Sequence, residues 1–336
     1  MISLRRTPLS EPLSKSRALQ VLVIGAGSIG RRHAANLAAL GAHVEVTDPV
    51  PARAAAIAST TPRRFDLDDL GDPDAIVIAS PTQFHALHLR AALATGARIL
   101  VEKPLALPDD DLDGLVAAGQ GRVMVGYNLR LHEPLVRLVD SIEQGRAGEV
   151  VAARLWFGSW LPDWRPRVDY RDTYSARRDL GGGVLLDAIH ELDEAVWLWG
   201  HDLEVIGAFV DRVGPLEIDV EDTVHAILRT ATGVPIDVAL DYLSRRYRRG
   251  VEVVGAEATI RYDWSTTDLT IESAGGVECC NIDTPIAESY EREADRFVQF
   301  VIDGTPPPVD ATEGAESVRL AARILHAGAH RTKSDR

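Results

Sequence analysis

The spacing of apolar residues changes character partway along this chain. Leu19 to Ile24 is a short, nearly unbroken apolar run, the pattern of a strand covered on both faces. Arg31 to Leu40 carries apolar residues at helical spacing, and Val44 to Thr47 is a second strand that ends at Asp48. Ala75 to Ala79 and Arg98 to Val101 repeat the buried-strand pattern, with a helix between them that sets His85 and Leu89 on one face. Strand alternating with helix predicts a doubly wound parallel sheet, whose ligand crevice lies beyond the carboxyl ends of the strands. After Arg130 the texture differs. A helix over about 133–144 leads into period-two alternation from Glu149 to Phe157. Further strands are expected at Leu203–Val210, Thr223–Thr230, Val234–Leu243, Val251–Val254, Ala258–Tyr262 and Leu269–Glu272, building a large, mostly antiparallel open sheet. Two amphipathic helices, over 289–303 and 313–329, flank Thr305-Pro306-Pro307-Pro308. The expected organisation is an extension over residues 1–17, an α/β domain over 18–128 and an α+β domain over 129–330.

The turn between the first strand and the first helix is Gly25-Ala26-Gly27-Ser28-Ile29-Gly30. In a strand–turn–helix–strand–acid context each glycine has a job: Gly25 for the tight turn, Gly27 for close approach of a pyrophosphate, Gly30 for close helix packing. The anion would rest on the helix N-terminus among Gly27, Ser28 and Ile29, where free N–H groups and the dipole favour negative charge. Asp48 can accept from both adenosine ribose hydroxyls and would repel a 2′-phosphate, so the cofactor expected is NAD and not NADP. Two further strand ends carry polar residues: Ser80-Pro81-Thr82 and Glu102-Lys103-Pro104. Pro104 restricts Lys103 to extended backbone, and an ammonium there can stabilise a developing alkoxide.

A formal net charge of −14 argues against nucleic acid and anionic membranes as partners. No apolar run reaches the ~18 residues of a membrane helix. The first 17 residues hold Arg5, Arg6, Lys15 and Arg17 with Pro8 and Pro12, but no apolar core of a signal peptide. Cys279 and Cys280 are adjacent; neighbours rarely meet disulfide geometry and two thiols alone cannot make a zinc site. A reducing cytoplasm is expected, and no metal.

Taken with the glycine turn, Pro81-Thr82-Gln83-Phe84-His85 and Val101-Glu102-Lys103-Pro104-Leu105 resemble the glucose–fructose oxidoreductase and inositol dehydrogenase family. Gly126-Tyr127-Asn128-Leu129-Arg130 and Gly181-Gly182-Gly183-Val184-Leu185-Leu186-Asp187 look like its later signatures, so the likeness covers roughly residues 18–330. It implies hydride transfer between a nicotinamide and a secondary alcohol or ketone carbon of a sugar, cyclitol or nucleotide-sugar derivative. It implies that Lys103 binds the reacting hydroxyl, that Glu102 fixes the nicotinamide ribose, and that Ser80, Thr82 and His85 line the cofactor. It also implies that Asn128 and Arg130 contact substrate, and that the open sheet builds a homodimer or homotetramer. Two other readings share the fold: a glycosidase using transient oxidation by NAD, and a non-catalytic dinucleotide-binding regulator. The retention of both Lys103 and His190 disfavours the second.

Trp156, Trp160, Trp164, Tyr170 and Tyr174 lie among Arg165, Arg167, Arg171, Arg177 and Arg178. Aromatic faces suit the C–H faces of a sugar and arginines suit carboxylate or phosphate, so Trp160, Trp164, Arg165 and Tyr174 are candidate substrate contacts and tilt the substrate toward an anion. Arg245-Arg246-Tyr247-Arg248-Arg249 reads instead as a connecting loop or an oligomer contact. His190 is the expected proton acceptor or donor, with Asp187 as its partner. Relatives usually set the aspartate and histidine four apart, and here they are three apart. On one continuous α-helix either spacing keeps both on one face. Glu191 is expected to be structural.

Overall fold

A computed structural model describes residues 18–329 and divides the chain into two compact units. The first runs through Leu131 and takes in Ile286–Ala315; the second holds His132–Pro285 and resumes at Glu316. The extension expected over 1–17 lies outside the described residues.

The first unit contains β1 (Gln20–Ile24), α1 (Ser28–Ala39), β2 (His43–Thr47), α2 (Pro51–Ala55), β3 (Thr61–Arg63), β4 (Ala75–Ile78), α3 (His85–Leu93), β5 (Arg98–Glu102), α4 (Leu112–Gly119) and β6 (Val123–Gly126). All pairings are parallel, in the order β3-β2-β1-β4-β5-β6. This is the Rossmann order, whose switch point falls between β1 and β4. β4 is buried at every position, as its unbroken apolar run predicts.

The domain boundary differs from the expected one. Helix Ile286–Asp303, expected in the second domain, belongs to the first unit. Its Ala294, Phe297, Val298 and Phe300 share a core with Val21, Val23, Leu37, Val77, Leu100 and Met124. Each phenylalanine so buried is worth roughly 1.5–3 kcal/mol, and sequence adjacency carries no comparable energy. The chain therefore returns to the first unit before its last helix.

The second unit contains α5 (Glu133–Glu143), β7 (Val150–Gly158), α6 (Val184–Asp187), α7 (His190–Trp199), β8 (Glu204–Asp211), β9 (Thr223–Arg229), β10 (Pro235–Asp241), β11 (Arg248–Gly255), β12 (Ala258–Asp263), β13 (Asp268–Ser273) and β14 (Gly276–Asn281). The two closing helices are α8, already described as Ile286–Asp303, and α9 (Ala311–Ala329). The eight strands run β14-β13-β12-β11-β7-β10-β9-β8, antiparallel except for the β7–β10 pair. One face is apolar and buried (Ala153, Leu155, Ile236, Val238, Val251, Val253, Ile260), with α5, α6 and α7 against the sheet. Among the described residues no helix is long and apolar enough to cross a membrane.

Candidate active site

The expected site residues fall into two groups, one in each unit. In the first, Gly25 has φ +104°, and a Cβ there would come within 2.6 Å of the Ala79 carbonyl oxygen. A Cβ on Gly30 would sit 1.9 Å from the Gly25 carbonyl oxygen. Neither position tolerates a side chain. Gly27, by contrast, faces open space and starts α1 with no side-chain cap, so the amides beyond it, including those of Ser28 and Ile29, stay available to an anion. These are the requirements of a dinucleotide pyrophosphate, and the residues present fit NAD. Asp48 follows β2 and is nearly buried. Its Oδ2 accepts from the Ala26 amide (2.9 Å) and its Oδ1 from the Val50 amide (2.8 Å).

Ser80 Oγ pairs with His88 Nδ1 at 2.9 Å, and Thr82 opens a short 3₁₀ turn. His85 lies between two backbone carbonyls. Its Nδ1 lies 2.7 Å from the Pro104 carbonyl and its Nε2 2.9 Å from the Ser80 carbonyl. Burial lowers its pKa below the usual histidine value, so the neutral ring has one N–H and donates to one of these two carbonyls, bracing the strand-end loops between which it lies. Glu102 bonds His33 Nε2 (2.6 Å) and accepts the Lys103 amide (3.2 Å), while Lys103 itself is half-buried. Asn128 and Arg130 lie deeper in the first unit. Both are buried, Asn128 donating to Ser289 Oγ (2.7 Å) and Arg130 pairing with Glu313 (3.2 Å). They fasten α8 and the start of α9 within the first unit.

In the second unit the triple glycine turn delivers two short helices. Gly183 has φ +111°, and a Cβ on it would meet the Glu221 carboxylate at 2.2 Å. Glu221 Oε1 accepts the Leu185 amide (3.2 Å) and its backbone carbonyl accepts that of Val184 (3.2 Å). Burial pushes the Glu221 carboxyl up to about 7. Asp187 ends α6 and His190 begins α7, with Ala188 and Ile189 between the helices. One continuous helix was expected, but the missing residue is absorbed by this break. Tyr242 donates to Asp187 Oδ2 at 2.5 Å, and Tyr174 hydrogen-bonds the same carboxylate. Burial, then the Asp187 charge, raises both phenols above their ordinary pKa. His190 is 8% exposed. Trp164 packs edge-on against Tyr242 and donates to Ser159 Oγ (2.8 Å), and the exposed Arg165 lies over Tyr174. Trp160 lies under the Arg245 guanidinium at 3.6 Å.

A profile described as "Oxidoreductase family, NAD-binding Rossmann fold" matches residues 19–127, and the "GFO/IDH/MocA C-terminal domain" matches 135–261. The chain is 30% identical over 266 residues to a dTDP-3,4-didehydro-2,6-dideoxy-alpha-D-glucose 3-reductase of Streptomyces antibioticus, covering 75% of this chain and 77% of that one. The chain belongs to the GFO/IDH/MocA oxidoreductases. A second member of this family, inositol 2-dehydrogenase of Rhizobium meliloti (strain 1021), is 29% identical across 89% of this chain and 93% of its own. In fold the chain is similar to a levoglucosan dehydrogenase solved with NADH and levoglucosan. The TM-score is 0.83 at 21% identity, with 94% and 98% of the two chains covered. As a GFO/IDH/MocA oxidoreductase the protein uses NAD and acts on CH–OH groups.

Several groups of this oxidoreductase were not legible beforehand. Glu191, correctly expected to be structural, is fully buried and holds Arg249 through two hydrogen bonds (2.6 and 3.0 Å). Arg249 therefore lies inside β11 and not in a connecting loop. Tyr242, Glu221, His33 and Glu293 carried no local motif. Only the third glycine of the triple hinted that something fills the place of a Cβ.

Proposed function

We propose that this enzyme interconverts a secondary alcohol and a ketone on a sugar, cyclitol or nucleotide sugar, with Lys103 and His190 as its catalytic residues. Bound NAD accepts or donates the hydride. Lys103 binds the reacting hydroxyl and offsets negative charge as it develops on that oxygen. The His190 imidazole takes the hydroxyl proton in oxidation and returns it in reduction. Asp187 orients this chemistry without carrying the proton. The observation that supports the reading best is the Asp187 carboxylate, which collects the hydroxyls of the buried Tyr242 and the half-buried Tyr174 three residues before His190. That arrangement fixes the aspartate where a solvated acid would wander.

Ser80, Thr82 and Glu102 hold the cofactor with the glycine turn and Asp48, and His85 braces their loops. Trp164, Tyr174 and Arg165 suit an anionic carbohydrate, the tryptophan and tyrosine through their faces and the arginine through its fork. The relatives include proteins named for inositol and for a dTDP-sugar, and solved neighbours carry UDP-GlcNAcA and levoglucosan, which supports the same substrate range.

The test is a panel of cyclitols, free sugars, uronates and nucleotide sugars assayed with NAD and NADH by absorbance. One class should turn over with stoichiometric change in NADH. Lys103→Met should abolish turnover while leaving a cooperative melt, and His190→Asn should cost roughly 10²-fold or more. Wild-type turnover by Lys103→Met would remove it from the chemistry. Glycoside cleavage without net NADH would replace the dehydrogenase reading with a glycosidase.

A further inference from the structure

Behind Glu102, in the core of the first unit, lies a cluster that the chemistry above does not use. His33 from α1 is fully buried and its Nε2 is 2.6 Å from Glu102 Oε1 at the end of β5. Glu293 from α8 is 1% exposed, and neither of its oxygens has a hydrogen-bond partner among the described residues. One ligand atom from each of His33, Glu102 and Glu293 lies within 4.8 Å of the others. The edge of Tyr290, on the same helix, meets His33, and Arg32 of α1 lies over Tyr290. An unpaired buried carboxyl costs several kcal/mol if charged, so the site must be neutralised by a cation or by a proton. The 2.6 Å contact between His33 and Glu102 fits a shared proton. Two donors sharing an ion at ~2.1 Å each stand about 3 Å or more apart, whereas a shared proton draws them closer.

We propose that Glu293 and His33 are positioning residues that fix the rotamer of Glu102, and through it the Lys103 backbone, for the nicotinamide half of NAD. The inference rests on the reading that Glu102 and Lys103 belong to the cofactor site. His33 holds one Glu102 oxygen, and the other accepts the Lys103 amide. Burial, and then the charge of Glu102, push the Glu293 carboxyl well above the usual range, which keeps it a neutral acid. In that form it packs behind Glu102 without repelling it. Once ionised it sets a second negative charge against Glu102 at low dielectric and displaces it.

The experiment is a fluorescence titration of NADH on the full chain, from mildly acidic to alkaline pH, with metal analysis of the purified protein. Glu293→Met should weaken NADH by up to about tenfold, the scale of letting the Glu102 side chain leave its rotamer. Glu293→Gln, which cannot ionise, should restore most of that affinity and remove the wild type's weakening at alkaline pH. Stability should follow the same sign. Because the folded pKa is raised, Glu293 stabilises fully at acid pH and loses that contribution as pH rises through the folded value, a slope absent in Glu293→Gln. If Glu293→Met fails to fold, the pH slopes of wild type and Glu293→Gln still decide, and identical slopes overturn the proposal. Should Glu102→Gln weaken NADH while Glu293→Met does not, the positioning role falls and the cofactor reading stands. Should Glu102→Gln bind NADH as the wild type does, the cofactor reading itself falls. One equivalent of a divalent ion, whose removal by chelator abolishes NADH binding, overturns the proposal in favour of a metal site.

Discussion

The Asp48 carboxylate accepts the Ala26 and Val50 amides, one on each oxygen, and each oxygen keeps lone-pair capacity for a ribose hydroxyl. One side chain thus shapes the glycine turn and, on the proposed reading, also selects the cofactor. Removing it has two separable consequences. Asp48→Ala leaves the buried Ala26 N–H without its acceptor, at about 1–3 kcal/mol where water cannot replace it, so the melting temperature should fall; Val50 is exposed and its N–H can turn to water. The same change deletes the charge that faces a 2′-phosphate, so the preference for NADH over NADPH should narrow. Paired titrations with both cofactors, set beside thermal melts, check each arm. A wild type that prefers NADPH would contradict the role given to Asp48.

At the level of elements, the break between α6 and α7 shows how the chain accommodates an Asp187–His190 spacing one residue shorter than usual. Glu221 underpins that break. Its carboxylate fills the space beside Gly183 and accepts the Leu185 amide, where any residue other than glycine would collide with it. Its pKa is raised from 4.5 to about 7, by burial first and with Asp187 adding to the rise. In the fold it therefore binds a proton that the unfolded chain has already released. The stability it contributes is complete below the unfolded value and disappears as pH climbs through about 7. Glu221→Gln keeps an acceptor for Leu185 but has nothing to ionise. Its melting temperature relative to wild type should improve by several degrees between about pH 5 and about pH 8, by calorimetry at each pH. An unchanged difference across that range would show that Glu221 does not titrate there.

Burial made most elements legible but not all: β6, buried at all four of its positions, was not among those expected. β1, β2, β4 and β5 announced themselves because parallel strands covered on both faces read as apolar runs. By contrast β14 was missed because all six of its residues are exposed and no alternation marks it. Helix α8 was found within a few residues, yet its allegiance to the first unit was not, since periodicity shows that a helix has an apolar face and not which core receives it. The same gap separated motif from role in the site. Gly25 and Gly30 act through their own backbone neighbourhood, and the turn and close packing expected of them follow from their missing side chains. Asn128, Arg130 and His85 act through partners far along the chain, and their burial could not be foreseen.

At the scale of the whole molecule, the second unit's sheet leaves one face open. Phe209 pairs with His225, and Ile227 with Gly207 and Asp237, so these side chains project from the same side. Phe209 is 46% exposed and Ile227 50%. Farther along that face Trp156 and Ala239 are cross-strand neighbours, and Arg154 sits between Asp237 and Glu252. Apolar residues bordered by paired charges make a surface that a second copy can match, because each contact that a two-fold axis allows is made twice. The opposite face is already packed by helices, so only this one can serve. We therefore expect the protein to assemble through it as a homodimer or homotetramer. Light scattering coupled to size exclusion should give an integral multiple of the 36.5 kDa chain mass for the wild type. Phe209→Glu combined with Ile227→Glu puts four unpaired carboxylates into each two-fold contact and should return the mass to that of one chain. NADH should still bind the dissociated chain, since neither substitution touches the glycine turn or Asp48. A wild type that runs as a single chain, or a double variant that keeps the assembled mass, would mean that this face is not the interface.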